Sequence, residues 1–588
     1  MGLDLADLII NNSEQEIIKT LSNAPQNHIT VDFNEIDRFG FRPLIEAVIC
    51  NKPKILSYLL QQGAEVDQLD VLGRTPLQWA VERSNIEACK ILLDHQANPN
   101  HYSLDGQPIL VYPILREELE LVELLKKYNA NHLFAQDFIS AKLIGHRFEL
   151  AGEVDIVSAE HKFIPLNFEG FYLEFTVGLI YRSLYNFINS IKGQEFKDLH
   201  GKLHKVLDAL KQAATLASFA KHKDKSLFIN TIDNILKGSL LLIPSAYSGH
   251  AITFIKYNNY LAKCDRGVNN ITDTVIIYEV GNKYLLNHKL FYKLLYEPKN
   301  DNFVNYEFKE ELSLVPIKAL PTRSQIAGNC SFANVETSIP AMLYLLFDIN
   351  KIAEATTAEQ TAYTLYKEWI EWDQDSALDE AIIDFFNSGQ DRKLSKAMIM
   401  GAILIQRCNS NIKQHVERAK KILNILIMPA FQFILRNYII IYNKTSAGET
   451  GKNVIKLLKQ YGLNEDDFKN LILNKHIKIN NKLSKSINEN NNINLIKMTT
   501  ALHVACLENK IDTVKYLLDK LKMDVNYPDR TGSTGLMYAA WKGHLELVKL
   551  LTINYRADTK IKNFKNGTAK KYAQLAGHSE TVKFLQKY

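Results

Sequence analysis

Within "SQIAGNCSFAN" (324–334) a cysteine opens an apolar run, Gly-Asn stands just before it, and a glutamine lies five residues upstream. A thiol with an ordinary pKa of about 8.5 becomes a nucleophile when an imidazole and a helix N-terminus favour the thiolate. Cys330 offers the helix start. Gln325 can turn a side-chain amide N–H toward a developing oxyanion, with the Cys330 backbone N–H as second donor, and Gly328 permits a close approach. The imidazole has to come from another element, and "GHAITFIKYNNYLAKCDRG" (249–267) offers one. Two alternating apolar runs flank Asn258-Asn259, which predicts a two-residue hairpin. If Tyr257 faces Tyr260, Asp265 lies opposite Ile252. His250 and Asp265 are then diagonal neighbours, with backbones roughly 7–8 Å apart. Asp265 can orient the ring and stabilise its cation; Asn269 or Asp273 takes that role if the register slips. Cys264 points to the opposite face and reads as core.

Taken singly, a cysteine at an apolar helix start is usually structural, and a histidine on a strand is usually a satisfied core residue. The four together, with matching roles, define a candidate thiol site. The elements that must hold them are legible in outline. Helical periodicity runs over 168–240, a β-rich stretch runs from 240 to 280, and helical patterning returns from 330 to 475. After Cys330, residues Phe332, Val335, Met342 and Leu346 fall near one helix face, and Pro340 is expected to kink or interrupt the helix.

Both ends of the chain repeat. "FGFRPLIEAV" (39–48) and "LGRTPLQWAV" (72–81) align at a period of 33, and a weaker third copy begins at "DGQPILVYPI" (105–114). At the far end "TTALHVACLENK", "GSTGLMYAAWKGH" and "NGTAKKYAQLAGH" align at Ala505, Ala539 and Ala573, a period of 34. Period and motif resemble ankyrin repeats. Such arrays bind partners through exposed hairpin tips. The tip residues expected to touch a partner are Asp70, Tyr102, Asp105, Tyr527 and Asp529. "LADLIINNSEQEIIKTLSNA" reads as an amphipathic helix capping the first array, and the Asn-rich stretch "NNKLSKSINENNNIN" as a flexible linker.

The 588 residues are too many for one core. The net charge of +5 is a mild bias that does not by itself imply nucleic acid. Six scattered cysteines predict a reduced compartment rather than a disulfide framework. No Cys/His spacing suggests zinc. The N-terminus lacks the basic segment of a Sec signal, and "ILNILIMPAFQFIL" is too short and polar to span a bilayer, so a soluble chain is expected. "SAGETGKN" (446–453) lacks the first Gly and the Ser/Thr of a phosphate-binding loop. "KHKDK" and "ERAKK" read as solvated helix faces.

Gln325, then Gly-x-Cys opening a helix, with His250 at a strand start and Asp265 one hairpin later, resembles the papain-like cysteine proteases. The order His, Asp, Gln, Cys is similar to the permuted order of ubiquitin-like-protein proteases, adenoviral proteases and YopJ-type acetyltransferases. This chain departs in carrying Ala251 where a Trp follows the His, and in a Gln–Cys spacing one residue shorter than in many relatives. With ankyrin arrays in an Ile-, Lys- and Asn-rich chain, the layout resembles the Legionella Dot/Icm ankyrin effectors. That resemblance implies type IV secretion into a host cell, a virulence role in the host cytoplasm with nuclear entry left open, and a host protein as partner. The expected architecture is multidomain α+β. It comprises a helical cap and ankyrin repeats (1–130), a cysteine protease-like domain (131–349), a helical region (350–479), a linker (480–495) and C-terminal ankyrin repeats (496–588). The expected activity is that of a thiol hydrolase with catalytic Cys330, His250, Asp265 and Gln325. The alternatives are an inactive ankyrin scaffold or an acyltransferase using the same site. No metal, cofactor or nucleic acid is expected.

Overall fold

The computed structural model describes the chain apart from residues 1–3, 27–29, 38–39, 191, 222–224, 268–273, 323, 326–327, 348–351, 438–448, 465, 468–469, 471–501, 504, 507–508, 510, 520–523, 527–532 and 564–566. The Asn-rich stretch, Asn269, Asp273, Tyr527 and Asp529 lie outside the described residues. Two compact units emerge: Met1–Glu153 with Leu166–Asp379, and Val154–Pro165 with Glu380–Tyr588.

In the first unit the N-terminal segment forms two helices, Leu5–Asn11 and Glu14–Asn23, rather than the single one expected. Ser13 and Glu16 explain the break. The Ser13 side chain caps the Glu16 N–H, and the Glu16 carboxylate accepts from the Ser13 N–H at 2.9 Å, a reciprocal box that starts a new helix. Three helix pairs follow: Pro43–Ile49 with Pro53–Gln61, Pro76–Glu82 with Ile86–Asp94, and Val111–Leu115 with Leu119–Lys127. Proline sits at the first turn of the first two pairs, where its missing N–H has no partner to lose. Leu44, Ala47, Leu77 and Ala80 are buried between the pairs. Gly40, Gly73 and Gly106 repeat one hairpin position at φ of 83°, 71° and 73°, a backbone region that side-chain-bearing residues avoid.

The hairpin tips correct two expectations. Asp70 is not a surface contact but the knot of its own turn. Its carboxylate accepts from the backbone N–H groups of Leu72 and Arg74, from the Arg74 guanidinium, and from Trp79 Nε1 at 3.0 Å. Tyr102 is half-buried, set edge-on against Phe134 at 5.8 Å. Asp105 is exposed as expected. The large side chains standing free at the tips are apolar: Val71, Leu72 and Leu104.

Helices α1 (His132–Arg147), α2 (Leu173–Ile188) and α3 (His200–Ser218) lead into an antiparallel five-stranded sheet. Its strands are β1 (Leu240–Tyr247), β2 (His250–Tyr257), β3 (Tyr260–Cys264), β4 (Val275–Val280) and β5 (Leu314–Ala319), in that spatial order. Period-two alternation separates the two faces. Leu240, Leu242, Ile255, Ala262 and Cys264 pack among α2, α3 and the helix after Cys330. Leu241, Ile243, Ile252, Phe254 and Leu261 pack against α4 (His288–Tyr296) and Phe303–Phe308. Tyr257 pairs with Tyr260 as the sequence predicted, with Asn258 at φ 52°.

Of the kink or interruption expected at Pro340, the interruption does not occur: helix α5 spans Cys330–Leu345 with Pro340 inside it. It is also buried on every side from Ser331 to Leu345 and has no single apolar face. Packing against α2 and against β2 and β3 outweighs the one backbone hydrogen bond that Pro340 removes. In the second unit, Gly535–Trp541 and Ala569–Leu575 repeat the ankyrin first-helix geometry, with Ala505, Ala539 and Ala573 buried in one core.

Candidate active site

The β1–β2 turn places the imidazole. Ser248 (φ 45°) and Gly249 (φ 79°) both take left-handed angles, so strand β2 begins at His250 directly opposite Tyr247. The Tyr247 ring stands edge-on to the His250 ring, with centroids 5.4 Å apart. Asp265 follows β3 immediately, and His250 Nε2–H donates to Asp265 Oδ1 at 2.8 Å. With Nε2 committed to the carboxylate, Nδ1 is the ring nitrogen left for the thiol.

Cys330 meets this pair from α5. The Ala251 N–H donates to Cys330 Sγ at 3.4 Å, which sets the sulfur beside the residue after His250. The electrostatics are coupled. Hydrogen bonds to Asp265 and then to Cys330 push the His250 pKa up to about 9, against the cost of burial. Burial opposes ionisation of Cys330, but His250 and the Ala251 N–H outweigh it and lower the thiol pKa. Burial likewise opposes the Asp265 carboxylate, yet His250 and Lys263 hold it down at about 2. Thiolate and imidazolium are therefore both favoured between the lowered thiol pKa and about 9. Cys264 behaves as core: it is fully buried, and burial pushes its thiol far up.

Gln325 lies on the loop that enters α5. Its backbone N–H donates to the Arg266 carbonyl at 3.0 Å, and its Oε1 is buried with no hydrogen-bond partner among the described residues. Gly328, two residues before Cys330, passes so close to Glu169 that a Cβ there would sit 3.0 Å from Glu169 Oε2 and 3.1 Å from its Cβ.

Sequence reasoning missed the residues that lock these groups in place. Asn334 is fully buried one turn below Cys330. Its Nδ2 donates to the Ala251 carbonyl at 2.7 Å, and its Oδ1 accepts from the Arg266 N–H at 2.7 Å. One amide thus joins the residue after His250, the residue after Asp265 and the helix of Cys330. Arg266 is buried with Glu149 at 2.7 Å and Glu336 at 3.8 Å. Lys263 binds Asp265 Oδ2 at 3.1 Å. Spacing carried a signal for two of these: Asn334 is four residues after Cys330 on a helix, and Lys263 is two before Asp265 along the strand direction. Among the described residues, no cluster of His, Cys, Asp and Glu could hold a metal ion, and no helix is long and apolar enough to cross a membrane.

A profile of ankyrin repeats in three copies matches residues 58–135 and 460–563. An ankyrin repeat protein of Fowlpox virus (strain NVSL) is 28% identical over 131 residues, which are 22% of this chain and 38% of that protein. Ankyrin repeat domain-containing protein 13B of Homo sapiens is 32% identical over 90 residues, 15% of this chain and 14% of that protein. Both alignments thus cover only a minor part of the relative's own length. A solved structure titled as that of the Legionella effector AnkH matches with a TM-score of 0.66 at 37% identity, covering 79% of this chain and 98% of that one. At that identity and coverage the likeness extends well past the repeats, and the chain belongs to the family of the Legionella effector AnkH.

Proposed function

We propose that this protein is a translocated effector that binds a host protein through its ankyrin repeats and attacks an acyl carbonyl with Cys330. The observation that carries the reading is the juxtaposition of His250 on Asp265 with Cys330 Sγ held by the N–H of the next residue. In this reading the Cys330 thiolate forms a bond to the carbonyl carbon, and the oxyanion rests on the Cys330 N–H and the Gln325 amide. Collapse breaks the bond to the leaving amine, which takes the proton from His250 Nδ1. Neutral His250 then activates water to release the acid. Asp265 keeps Nε2 occupied throughout, so the ring cannot turn away.

Partner recognition falls to the apolar tips Val71, Leu72 and Leu104 rather than to Asp70 or Tyr102, because exposed apolar side chains gain most on burial against another protein.

Alkylation of Cys330 by iodoacetamide tests the chemistry. At pH 6.5 Cys330 reacts at least about ten-fold faster than a free thiol, and His250→Ala removes that advantage. Equal Cys330 labelling in the wild type and the His250→Ala variant overturns the enzymatic reading and leaves the protein a binding scaffold.

A further inference from the structure

On the side of Asp265 away from His250 stands a second cation. Lys263 and Asp265 are two residues apart along one strand direction and lean to the same face. The Lys263 Nζ lies 3.1 Å from Asp265 Oδ2, while His250 Nε2 binds Oδ1 at 2.8 Å. The Lys263 side chain is only 11% exposed, an unusual place for an ammonium group. Nζ also donates to Asn305 Oδ1 at 2.6 Å, and Asn305 Nδ2 donates to Asp301 Oδ1 at 2.7 Å. The Tyr247 hydroxyl, whose ring borders His250, meets the same Asn305. The Gly267 N–H completes the set around the carboxylate at 3.2 Å from Oδ1.

We propose that Lys263 is a positioning residue that shares the Asp265 charge with His250, so that the imidazolium keeps a transferable proton. The inference rests on the reading of Cys330 as a nucleophile. A carboxylate facing an imidazole in a half-buried site stabilises the imidazolium so strongly that the ring becomes a reluctant acid. A lysine on the other oxygen withdraws part of that stabilisation without breaking the His250 bond. Its positive potential also reaches the thiolate and favours it. The other charged or titratable groups facing this set are Cys330 from α5, Tyr247 from β1, and Asp301 and Lys309 around Phe303–Phe308. Lys309 repels the Lys263 ammonium and Asp301 favours it, so the Asp265 contact remains the direct link from Lys263 to His250.

The test is the pH profile of Cys330 alkylation by iodoacetamide in the full chain, from pH 4 to 10. A thiol paired with imidazole gives two inflections, the lower for thiolate formation and the upper for loss of the imidazolium proton. Lys263→Met is expected to raise the upper inflection by at least about half a unit and the lower one in the same direction. Lys263→Arg, which keeps the charge, is expected to restore the wild-type profile. Lys263→Gln keeps a donor to Oδ2 without the charge; it should behave as Lys263→Met does and serves if that variant does not fold. Two wild-type inflections that Lys263→Met and Lys263→Gln leave in place, or move downward, overturn this inference alone. A wild-type profile with one inflection in the ordinary thiol range overturns the nucleophile reading and this inference with it.

Discussion

A histidine at the first position of a strand is held by little of its own backbone, so its orientation depends on what binds its ring. Here Asp265 binds Nε2 and Tyr247 stands against the ring edge-on. Asp265→Asn removes the charge that raises His250, so the His250 pKa should fall from about 9 toward its ordinary 6.5. Titration of the ring carbon by NMR measures this, and a value left near 9 would contradict the coupling. The stability that His250 draws from its partners is complete below pH 6.5 and is lost as pH rises through about 9. Asp265 contributes in the opposite direction: its share is complete above pH 3.8 and is lost as pH falls through about 2. The gap in urea midpoint between wild type and Asp265→Asn should therefore be wider at pH 6 than at pH 9.5, where the imidazolium is gone and the Lys263 contact remains. The pairing of His250 with Asp265 was legible because strand alternation and the Asn258-Asn259 turn fix it locally. Asp70 was not, because Arg74 and Trp79 decide where its carboxylate points.

Helix α5 carries Cys330 and also Asn334, the amide that ties its helix to the segments of His250 and Asp265. Asn334→Leu leaves the Ala251 carbonyl and the Arg266 N–H buried and unpaired, each worth about 1–3 kcal/mol. A loss of roughly 3 kcal/mol in urea unfolding is expected, along with slower Cys330 alkylation in the protein that remains folded. Unchanged stability would show that water or another group replaces the amide. Nearby, His146 is buried on α1 and stacked on Phe332, with ring centroids 5.9 Å apart. Burial, reinforced by Lys142, pushes its pKa down to about 4. The unfolded chain takes up that proton near pH 6.5 and the folded chain resists it. Wild type should therefore lose on the order of 2 kcal/mol from this group between pH 7 and 5. His146→Phe should lack that part of the acid sensitivity, and parallel urea midpoints for the two proteins would refute it. The unbroken run of α5 through Pro340 was not legible, because the contacts that outweigh the missing hydrogen bond come from distant strands and helices.

Over the whole molecule, the proposed binding and the proposed chemistry fall on separable sets of residues. Val71→Asp combined with Leu104→Asp should abolish capture of a host partner, while Cys330 alkylation at pH 6.5 stays within about two-fold of wild type. Loss of both together would mean that the tips support the fold rather than a partner, and thermal unfolding of the variant separates those outcomes. The 33-residue spacing made the first array legible at a glance, since Gly, Pro, Leu and Ala recur at positions with fixed steric demands. Which tip residues face outward was not legible from polarity alone, because Asp70 ties its turn while Val71, Leu72 and Leu104 stand exposed beside Asp105.

The sequence by itself determined the repeats, the β2–β3 register and the identity of the four candidate residues, because each follows from spacing within one element or one hairpin. Only the tertiary structure decided that Cys330 meets His250, that Asn334 and Arg266 join the three segments, and that Lys263 stands behind Asp265. Apart from the Lys263 contact, which lies within one strand, they join residues far apart in the chain, 83 residues from Ala251 to Asn334, and no local periodicity encodes a distance of that kind.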